Sequence, residues 1–214
     1  MSDEPFIAVA SHELRTPIAG IVGAAETLDG RWDRLSECDR RQLVGLLVRQ
    51  SRRLSHLVDE LLELSRLEAG AVAVAVRPVN VASEAVAAIE EAGVGDVEVS
   101  VSPGPTVIAD ANHLRRILVN LLVNADRHGA RPIVVEAVAA GGWVEVRVID
   151  AGPGVPGDFV PRLFDRFTRA EAAPSGAGLG LAIVESLARL DGGEVFYRPG
   201  PKGGSMFGVR LPPG

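Results

Sequence analysis

Two stripes of apolar residues at heptad spacing constrain the fold of this chain more than any other feature of its sequence. The first recurs at alternating steps of three and four residues: Ile7, Ala10, Leu14, Pro17, Ile21, Ala24 and Leu28. The second is interrupted by one polar residue: Leu43, Leu47, Gln50, Leu54, Leu57, Leu61 and Leu64. Such spacing is typical of α-helices that pack along one face. Residues 1–70 therefore predict a helical hairpin.

Three further apolar residues widen the second stripe beyond a two-helix seam. Leu46, Val58 and Leu62 have no partner on the first stripe, so the second helix needs more than one neighbour. A homodimer in which two hairpins form a four-helix bundle provides that neighbour. The alternative is a monomeric antiparallel hairpin packed on the rest of the chain.

His12 lies off the first stripe and is predicted to face solvent. Thr16 is one turn further on nearly the same face, and Glu13 lies about 100° around the helix axis from His12. A neutral imidazole is a nitrogen nucleophile near neutral pH, and a neighbouring carboxylate can orient the ring and accept its other proton. For the His-Glu pair alone, the alternative is a surface histidine beside a solvated glutamate.

The remaining sequence predicts a second, larger domain over residues 71–214. A turn is expected at residues 29–33, Ser36 or Asp39 is a candidate cap for the second helix, and Ala69-Gly70 ends that helix. Beyond it we predict helices at 81–92, 111–128, 159–166 and 179–190, and strands at 72–77, 97–101, 106–109, 132–139, 143–149, 193–198 and 205–211. This order favours an α/β sandwich with a mixed sheet and helices on one face.

The helix predicted at 111–128 has an apolar face and a polar face rich in amides. The polar face consists of His113, Arg116, Asn120, Asn124 and Arg127. An asparagine oxygen is a suitable ligand for Mg²⁺, and an arginine one turn away can bind a phosphate. This face is therefore a candidate site for a metal-bound phosphate compound.

Two glycine-rich segments follow in the same domain. Asp150 to Gly154 comes directly after a predicted strand, and Gly176 to Leu181 opens a predicted helix, where backbone N–H groups favour phosphate. In isolation, Gly-Pro-Gly within the first segment predicts only a turn. The second segment follows the first by about 25 residues, and both come after the amide-rich helix. This order strengthens the interpretation that the helix and the two segments form a nucleotide site.

Composition and charge exclude several other classes. The chain has 28 acidic and 22 basic residues, a formal charge of −6 and no long basic run, so we expect no nucleic-acid partner. A single cysteine, Cys38, excludes an internal disulfide and fits a reducing compartment. No apolar run approaches the roughly 20 residues that span a bilayer, so we expect a cytoplasmic chain; the alternative is that it is the cytoplasmic part of a membrane-anchored sensor.

Several of these motifs together resemble the sensor histidine kinases of two-component systems. Ser11 to Pro17 reproduces the Ser-His-Glu-Leu-Arg-Thr-Pro pattern of the family's H-box. The amide-rich helix resembles the N-box, with Arg127 where a lysine is usual, which keeps the charge but alters the geometry. Asp150 to Gly154 resembles the first glycine box, residues 163–169 the ATP lid, and Gly176 to Gly180 the second glycine box. Serine replaces the commoner threonine in the last glycine box, at Ser205.

The resemblance implies the domains, chemistry and partners of a kinase core. Residues 1–70 would form the dimerisation and phosphoacceptor domain, and residues 71–214 an ATP-binding domain of the fold shared with gyrase. His12 would accept the γ-phosphoryl group of ATP and pass it to an aspartate of a response-regulator receiver domain. Glu13 would assist His12, and Thr16 would orient water if the protein also dephosphorylates its regulator.

The resemblance also implies a set of cofactor contacts. Asn124 would bind Mg²⁺, and Asp150 would accept a hydrogen bond from the adenine amino group. The residues expected to bind ATP are Asn120, Asn124, Arg127, His128, Asp150, Gly152, Gly154, Phe164, Arg166, Arg169, Gly176, Gly178, Leu179, Gly180, Leu181 and Ser205. The alternatives to a kinase are a non-catalytic nucleotide-binding or phosphorelay module and an ATPase that hydrolyses ATP in water.

Overall fold

The computed structural model describes residues 4–71, 73–101, 105–168 and 178–214, apart from the side chains of residues 4–7 and of Lys202. The chain divides into two compact units, Met1–Glu63 and Leu64–Gly214.

The first unit is a pair of long helices. Helix α1 (Glu4–Arg31) is joined to helix α2 (Glu37–Glu68) by one 3₁₀ turn, Trp32–Arg34. The turn predicted at residues 29–33 begins later than expected, because α1 continues through Gly30. A glycine inside a helix costs only about 1 kcal/mol relative to alanine, so Gly30 does not stop the helix one residue before its end at Arg31.

Both candidate caps of α2 are used together. The hydroxyl of Ser36 accepts a hydrogen bond from the Asp39 N–H (3.1 Å), and the Asp39 carboxylate accepts from the Ser36 N–H (3.3 Å). This reciprocal arrangement is a capping box, in which two otherwise unpaired N–H groups are satisfied at once. Arg40 closes the connection by donating to the Trp32 carbonyl and lying over the Trp32 ring.

The two stripes face each other inside this unit. Ala10, Ala24 and Leu57 are buried, and the polar interruption at Gln50 lies against Gly20 on α1. Val58 and Leu62 remain exposed, as predicted, and Leu46 is half-buried. The helix therefore leaves an apolar edge uncovered in a single hairpin.

Helix α2 ends where predicted, and its last turn belongs to the second unit. Leu64 and Leu67 are buried there, and Gly70 adopts a left-handed conformation (φ 62°) just after the helix. The division between the units thus falls within α2, a few residues before the Gly70 boundary that the sequence suggested. In the described ranges, no helix is both long and apolar enough to cross a lipid bilayer.

Beyond the end of α2, the described residues of the second unit form three α-helices and seven strands. Its helices are α3 (Val81–Ala92), α4 (Ala111–His128) and α5 (Gly180–Leu190). Its strands are β1 (Arg77–Asn80), β2 (Val97–Val101), β3 (Thr106–Ala109), β4 (Ile133–Ala140), β5 (Trp143–Ile149), β6 (Glu194–Pro199) and β7 (Ser205–Leu211). Asn80 caps α3 and Asp110 caps α4, each through its side-chain oxygen.

Five strands form one mixed sheet in the order β2-β4-β5-β7-β6. Strands β2 and β4 are parallel, and the other neighbours are antiparallel. The apolar side of α4 and alternate residues of the central strands form the core: Leu114, Ile117, Leu118, Leu121, Leu122, Val144, Val146, Val148, Val209 and Leu211. The predicted fold class, a helical hairpin followed by an α/β domain with a mixed sheet, is confirmed.

Two elements predicted in this unit differ from the structure. The strand expected at 72–77 begins only at Arg77, whose partner Ala109 is the last residue of β3. The chain enters α4 immediately after Asp110, so no extended strand lies beside residues 73–76. The helix expected at 159–166 is a single 3₁₀ turn, Val160–Arg162, and contains Pro161, which cannot donate a helical hydrogen bond.

A charged cluster lies on the sheet at β5, β6 and β7. The Glu145 carboxylate accepts two hydrogen bonds from Arg198 (2.8 and 2.9 Å) and one from Arg210 (3.0 Å). Both guanidinium groups also lie over the Phe196 ring, at 4.6 and 5.4 Å from its centroid. Hydrogen bonds and charge from Arg198 and Arg210 outweigh the effect of burial, so the pKa of Glu145 lies below its usual value.

Candidate functional site

His12 is presented on the exposed side of α1. Its side chain is 74% exposed, whereas Ala10 and Pro17 on the same helix are buried. The Glu13 carboxylate lies 3.9 Å from Nδ1 of His12 and is itself only 18% exposed. The ring therefore has a carboxylate beside one nitrogen, and its Nε2 has no hydrogen-bond partner among the described residues.

Pro17 changes the hydrogen bonding of the helix next to His12. A proline within a helix has no N–H to donate to the carbonyl four residues earlier, which here belongs to Glu13. The exposed Thr16 donates its hydroxyl to the His12 carbonyl (3.4 Å). The segment thus combines an accessible ring, a neighbouring carboxylate and a hydroxyl one turn away.

Arg53 on α2 is a neighbour that the sequence did not reveal. Its guanidinium lies 4.0 Å from the Glu13 carboxylate. The contact depends on how the two helices are aligned, which is visible in the packing of Gly20 against Gln50. Neither stripe alone fixes that alignment, so only the structure places Arg53 near Glu13.

Asp150 is the centre of the candidate site in the second unit. It follows β5 and is only 4% exposed. Its N–H donates to the Ser205 carbonyl (2.9 Å), and its Oδ1 accepts from the Gly152 N–H (2.7 Å). Its Oδ2 accepts no hydrogen bond from the part of the chain that the structure describes. One oxygen is therefore used to hold the carboxylate in place, and the other is available.

Glycines surround this carboxylate so closely that no side chain fits. A Cβ on Gly129 would lie 2.6 Å from the Asp150 Cβ, and one on Gly152 would lie 2.8 Å from Oδ1. A Cβ on Gly204 would overlap the Asp150 carbonyl oxygen. Gly152, but not Gly129, could be proposed as a site residue from the sequence, because the contact of Gly129 with Asp150 is made across the fold.

The two asparagines of α4 are in different environments. Asn120 donates its amide to the Arg116 carbonyl (3.0 Å), and its oxygen lies against Gly180 at the start of α5. Asn124 is half-buried and makes no hydrogen bond with the described residues. Asn124 therefore has the uncommitted amide oxygen that a metal or ligand requires.

A backbone hydrogen bond joins the residues just before α5 to Phe167, which lies 11 residues before Gly178 in the sequence. The Phe167 N–H donates to the Gly178 carbonyl (2.9 Å), and Gly178 has a left-handed conformation (φ 70°). A Cβ at Gly178 would lie 2.7 Å from the Thr168 carbonyl oxygen. Leu179 is fully buried, so its side chain contributes to the core, whereas Leu181 is half-buried.

The other predicted contact residues vary in their exposure. Arg127, His128 and Arg166 are exposed, and Phe164 is half-buried. Gly154 has a positive φ of 75° and approaches the Gly203 carbonyl. Ser205 is buried, and its backbone carbonyl holds Asp150. Arg169 and Gly176 lie outside the described residues.

His113 does not belong to the polar face to which the helical pattern assigned it. It is buried, and its Nδ1 lies 2.9 Å from the Asp191 carboxylate at the end of α5. His113 thus links α4 to the residue that follows α5. The polar face of α4 that remains is therefore shorter than predicted.

Two family models match the chain. The model of the His Kinase A (phospho-acceptor) domain matches residues 4–70. The model of the histidine kinase-, DNA gyrase B- and HSP90-like ATPases matches residues 109–214. The matches include His12 in the first region and Asn120, Asn124, Asp150 and both glycine boxes in the second.

Individual relatives agree with these models. The chain is 36% identical to the signal transduction histidine-protein kinase AfsQ2 of Streptomyces coelicolor over 97% of its own length and 41% of that protein. It is 44% identical to the sensor histidine kinase component HK1 of Mycobacterium tuberculosis over 55% of its own length and 71% of that protein. The solved structure of full-length ShkA in complex with AMPPNP matches all of the chain and 46% of that protein, with 32% identity and a TM-score of 0.66.

These findings establish that the chain belongs to the sensor histidine kinase family. It spans about two fifths of the length of curated relatives such as AfsQ2. The resemblance stated from the H-box and the glycine boxes is thus confirmed for the family.

Proposed function

We propose that the chain is the catalytic core of an ATP-dependent protein histidine kinase that phosphorylates His12. The observation that carries the proposal is the exposed His12 ring with the Glu13 carboxylate beside its Nδ1. The proposal keeps the boundary at Gly70, with a phosphoacceptor domain before it and an ATP-binding domain after it. Cytoplasmic ATP would be the phosphoryl donor.

The tautomer of His12 decides which nitrogen reacts. A carboxylate beside Nδ1 favours the neutral tautomer with its proton on Nδ1, which leaves the lone pair on Nε2. Nε2 attacks the γ-phosphorus, a nitrogen–phosphorus bond forms, and the bond between the γ-phosphorus and the bridging oxygen breaks, releasing ADP. Glu13 then takes the Nδ1 proton, so that the phosphorylated ring is neutral.

The second unit would hold the nucleotide through fixed groups. Asp150 offers its free oxygen to an amino group such as that of adenine, and Asn124 offers an amide oxygen to Mg²⁺. Bound Mg²⁺ would neutralise charge on the phosphates during transfer. Asn120, Arg127, His128 and the N–H groups at the start of α5 would orient the phosphates.

The proposed partners follow from the exposed features of the first unit. The exposed Val58 and Leu62 are suited to the second copy in a homodimeric four-helix bundle. The exposed His12 is suited to a receiver domain whose aspartate takes the phosphoryl group. Thr16 is proposed to orient water when the kinase dephosphorylates that domain, because its hydroxyl lies one turn from His12.

Labelling with γ-labelled ATP tests the main proposal. The wild type is expected to acquire label that is lost in acid and retained in alkali, as a phosphoramidate is. The His12→Gln variant is expected to acquire none, with its ATP affinity unchanged. His56→Gln is the matched control, since His56 is another exposed histidine of the first unit and also neighbours a carboxylate, that of Glu60.

Two outcomes would contradict the proposal. Label retained by His12→Gln would place the acceptor elsewhere, and an unlabelled wild type that binds ATP would favour the non-catalytic nucleotide-binding module. Release of inorganic phosphate without label on the protein would instead indicate an ATPase. The accessible His12 and its carboxylate neighbour favour the kinase over both alternatives.

A further inference from the structure

The glycine segment that follows β5, Asp150 to Val155, is held in two parts by different groups. In the first part, residues 150–152 donate three N–H hydrogen bonds, two to backbone carbonyls (2.9 and 2.8 Å) and one to the Asp150 carboxylate (2.7 Å). In the second part, residues 153–155 make one hydrogen bond with the described residues: the Val155 N–H donates to the Tyr197 hydroxyl (3.2 Å). The second part therefore depends on a single side chain.

The sheet fixes the position of the Tyr197 hydroxyl. Strands β6 and β7 pair so that Tyr197 lies opposite Phe207. The two rings pack at a tilt of 51° with their centroids 5.0 Å apart, and Phe207 is buried, so the Tyr197 ring has little freedom to turn away. The carbonyl of Ser205, two residues before Phe207 on β7, accepts from the Asp150 N–H. Strand β7 thus holds both ends of the glycine segment, one directly and one through Tyr197.

The backbone at Gly154 makes the contact with Tyr197 important for the order of the segment. Gly154 has a positive φ of 75°, and a Cβ there would lie 2.8 Å from the Gly203 carbonyl oxygen. Glycine has more backbone conformations available than any other residue, so order at this point has to come from its neighbours. The hydrogen bond of the adjacent Val155 N–H limits the movement of the segment, whose Gly152 N–H orients the Asp150 carboxylate.

We infer that Tyr197 is a positioning residue for recognition of the adenine base. Its hydroxyl holds the glycine segment so that the Asp150 carboxylate keeps one orientation, with Oδ1 on the Gly152 N–H and Oδ2 available. The inference rests on the proposed function, in which that available oxygen accepts a hydrogen bond from the adenine amino group. Tyr197 thus acts through Asp150 and not by touching the nucleotide.

The size of the effect follows from the loss of one hydrogen bond. Such a bond changes an equilibrium constant by about two- to tenfold, and ATP that binds to a loosened segment has to restore its order. Inosine triphosphate carries a carbonyl oxygen where adenine has its amino group, so it gains no hydrogen bond from the Asp150 carboxylate. Loosening the carboxylate should leave the affinity for inosine triphosphate equal or higher, and the preference for ATP should fall.

Titration calorimetry of the full chain with Mg²⁺ and each nucleotide tests this inference. The wild type is expected to bind ATP more tightly than inosine triphosphate. Tyr197→Phe removes only the hydroxyl and keeps the ring against Phe207; it should lose about two- to tenfold in ATP affinity and none in inosine triphosphate affinity. Ser186→Ala is the matched control, because it removes another half-buried hydroxyl bonded to a backbone group of the same unit, the Ala182 carbonyl, and it should keep both affinities.

The amide of Val155 supplies a readout that does not depend on nucleotide. Its hydrogen exchange should be slow in the wild type and in Ser186→Ala, and faster in Tyr197→Phe. Equally fast exchange in all three would show that the Tyr197 hydroxyl does not hold the segment.

The nucleotide measurements separate this inference from the proposed function. Unchanged ATP affinity in Tyr197→Phe, equal losses for the two nucleotides, or a wild type without preference for ATP would each overturn the positioning role, even if His12 is labelled. A wild type that acquires no label from γ-labelled ATP but shows the expected change of preference in Tyr197→Phe would refute the kinase and support the role of Tyr197.

Discussion

His12 and Asp150 are the candidate functional groups of the first and second unit respectively, and the chain holds them in opposite ways. His12 is 74% exposed, and its one described polar neighbour lies at 3.9 Å from Nδ1. Asp150 is 4% exposed and is fixed by two hydrogen bonds and by glycines that leave no room for a Cβ. A partner group can therefore approach the His12 ring from many directions, but a ligand can approach the Asp150 carboxylate from few.

The difference corresponds to the number of partners that each group would serve. An acceptor that takes a phosphoryl group from one domain and passes it to another protein must be accessible to both. A carboxylate that recognises one base benefits from being fixed before the ligand arrives, since less conformational freedom is lost on binding. We therefore expect substitutions near Asp150 to be far more damaging than comparable ones near His12.

The largest contrast is expected for the addition of one carbon. Gly204→Ala would force a Cβ into the Asp150 carbonyl oxygen, so we expect a loss of about 1–3 kcal/mol in unfolding free energy and at least about tenfold in ATP affinity. Gly23→Ala on α1 has nothing within 4 Å and should stabilise the helix by up to about 1 kcal/mol with normal labelling. Thermal denaturation and calorimetry measure both. Similar losses of stability and ATP affinity in Gly204→Ala and Gly23→Ala would show that the surroundings of Asp150 are no more restrictive than those of α1.

Next in size is the effect of removing an amide of α4. Asn124→Ala should weaken ATP binding in the presence of Mg²⁺ by at least about tenfold and leave thermal stability nearly unchanged, because Asn124 makes no hydrogen bond with the described residues. Asn120→Ala is the comparison, since that side chain donates to the Arg116 carbonyl. Titration calorimetry with and without Mg²⁺ separates the metal-dependent part. Wild-type affinity in Asn124→Ala would transfer the metal role to Asn120 or to no protein ligand.

Glu145 lies away from the candidate site, and it makes the stability of the second unit depend on pH. Because the Arg198 and Arg210 guanidinium groups lower its pKa when the protein is folded, the unfolded chain binds a proton more readily. Glu145 thus stabilises the fold above its unfolded pKa, near the ordinary value of 4.5, and this contribution is lost as pH falls through the folded pKa.

Glu145→Gln measures that contribution. It should lower the unfolding free energy by about 1–3 kcal/mol at neutral pH, with a smaller difference from the wild type in acid. Denaturant unfolding at several pH values provides the measurement. A difference that stays constant down to the lowest pH at which the wild type folds would show that the lost carboxylate charge is not the cause.

The smallest effect is expected at Arg53. Arg53→Gln removes a positive charge 4.0 Å from Glu13 and should change the labelling rate only a few-fold, because both side chains are partly exposed and an ion pair of this kind contributes about 0–1 kcal/mol. Arg52→Gln, at the exposed neighbouring position, is the control and should label at the wild-type rate. A larger loss in Arg53→Gln than in Asn124→Ala would show that the phosphoacceptor region is as strictly positioned as the pocket.

The parts of the fold that could be predicted from the sequence are those governed by local periodicity. Helix α4 and strand β5 begin and end where their patterns predict, because caps, alternation and the flanking glycines agree. The order of elements and the mixed sheet also followed from this pattern. The start of β1 was missed because it depends on where its partner β3 ends.

For the candidate site, too, residues in local motifs could be predicted from the sequence, whereas contacts between distant parts of the chain could not. His12, Asn124 and Asp150 could be proposed as site residues from the sequence because each lies in a recognisable motif, and their roles stay predictions. Contacts made across the fold could not be identified: His113 with Asp191, Gly129 with Asp150 and Arg53 with Glu13. A helical pattern shows which face a residue occupies, but not whether that face is covered by another element.

The pairing of Gln50 with Gly20 has a consequence for how the hairpin folds. An amide in a stripe of leucines is tolerated here because the opposite helix has no side chain at that point. If the helices slipped by about one turn, the same amide would meet Pro17 or Ala24, which occupy the space that Gly20 leaves open. A slipped alignment would therefore press the Gln50 amide against a side chain, which is how a single polar position in an apolar seam specifies register.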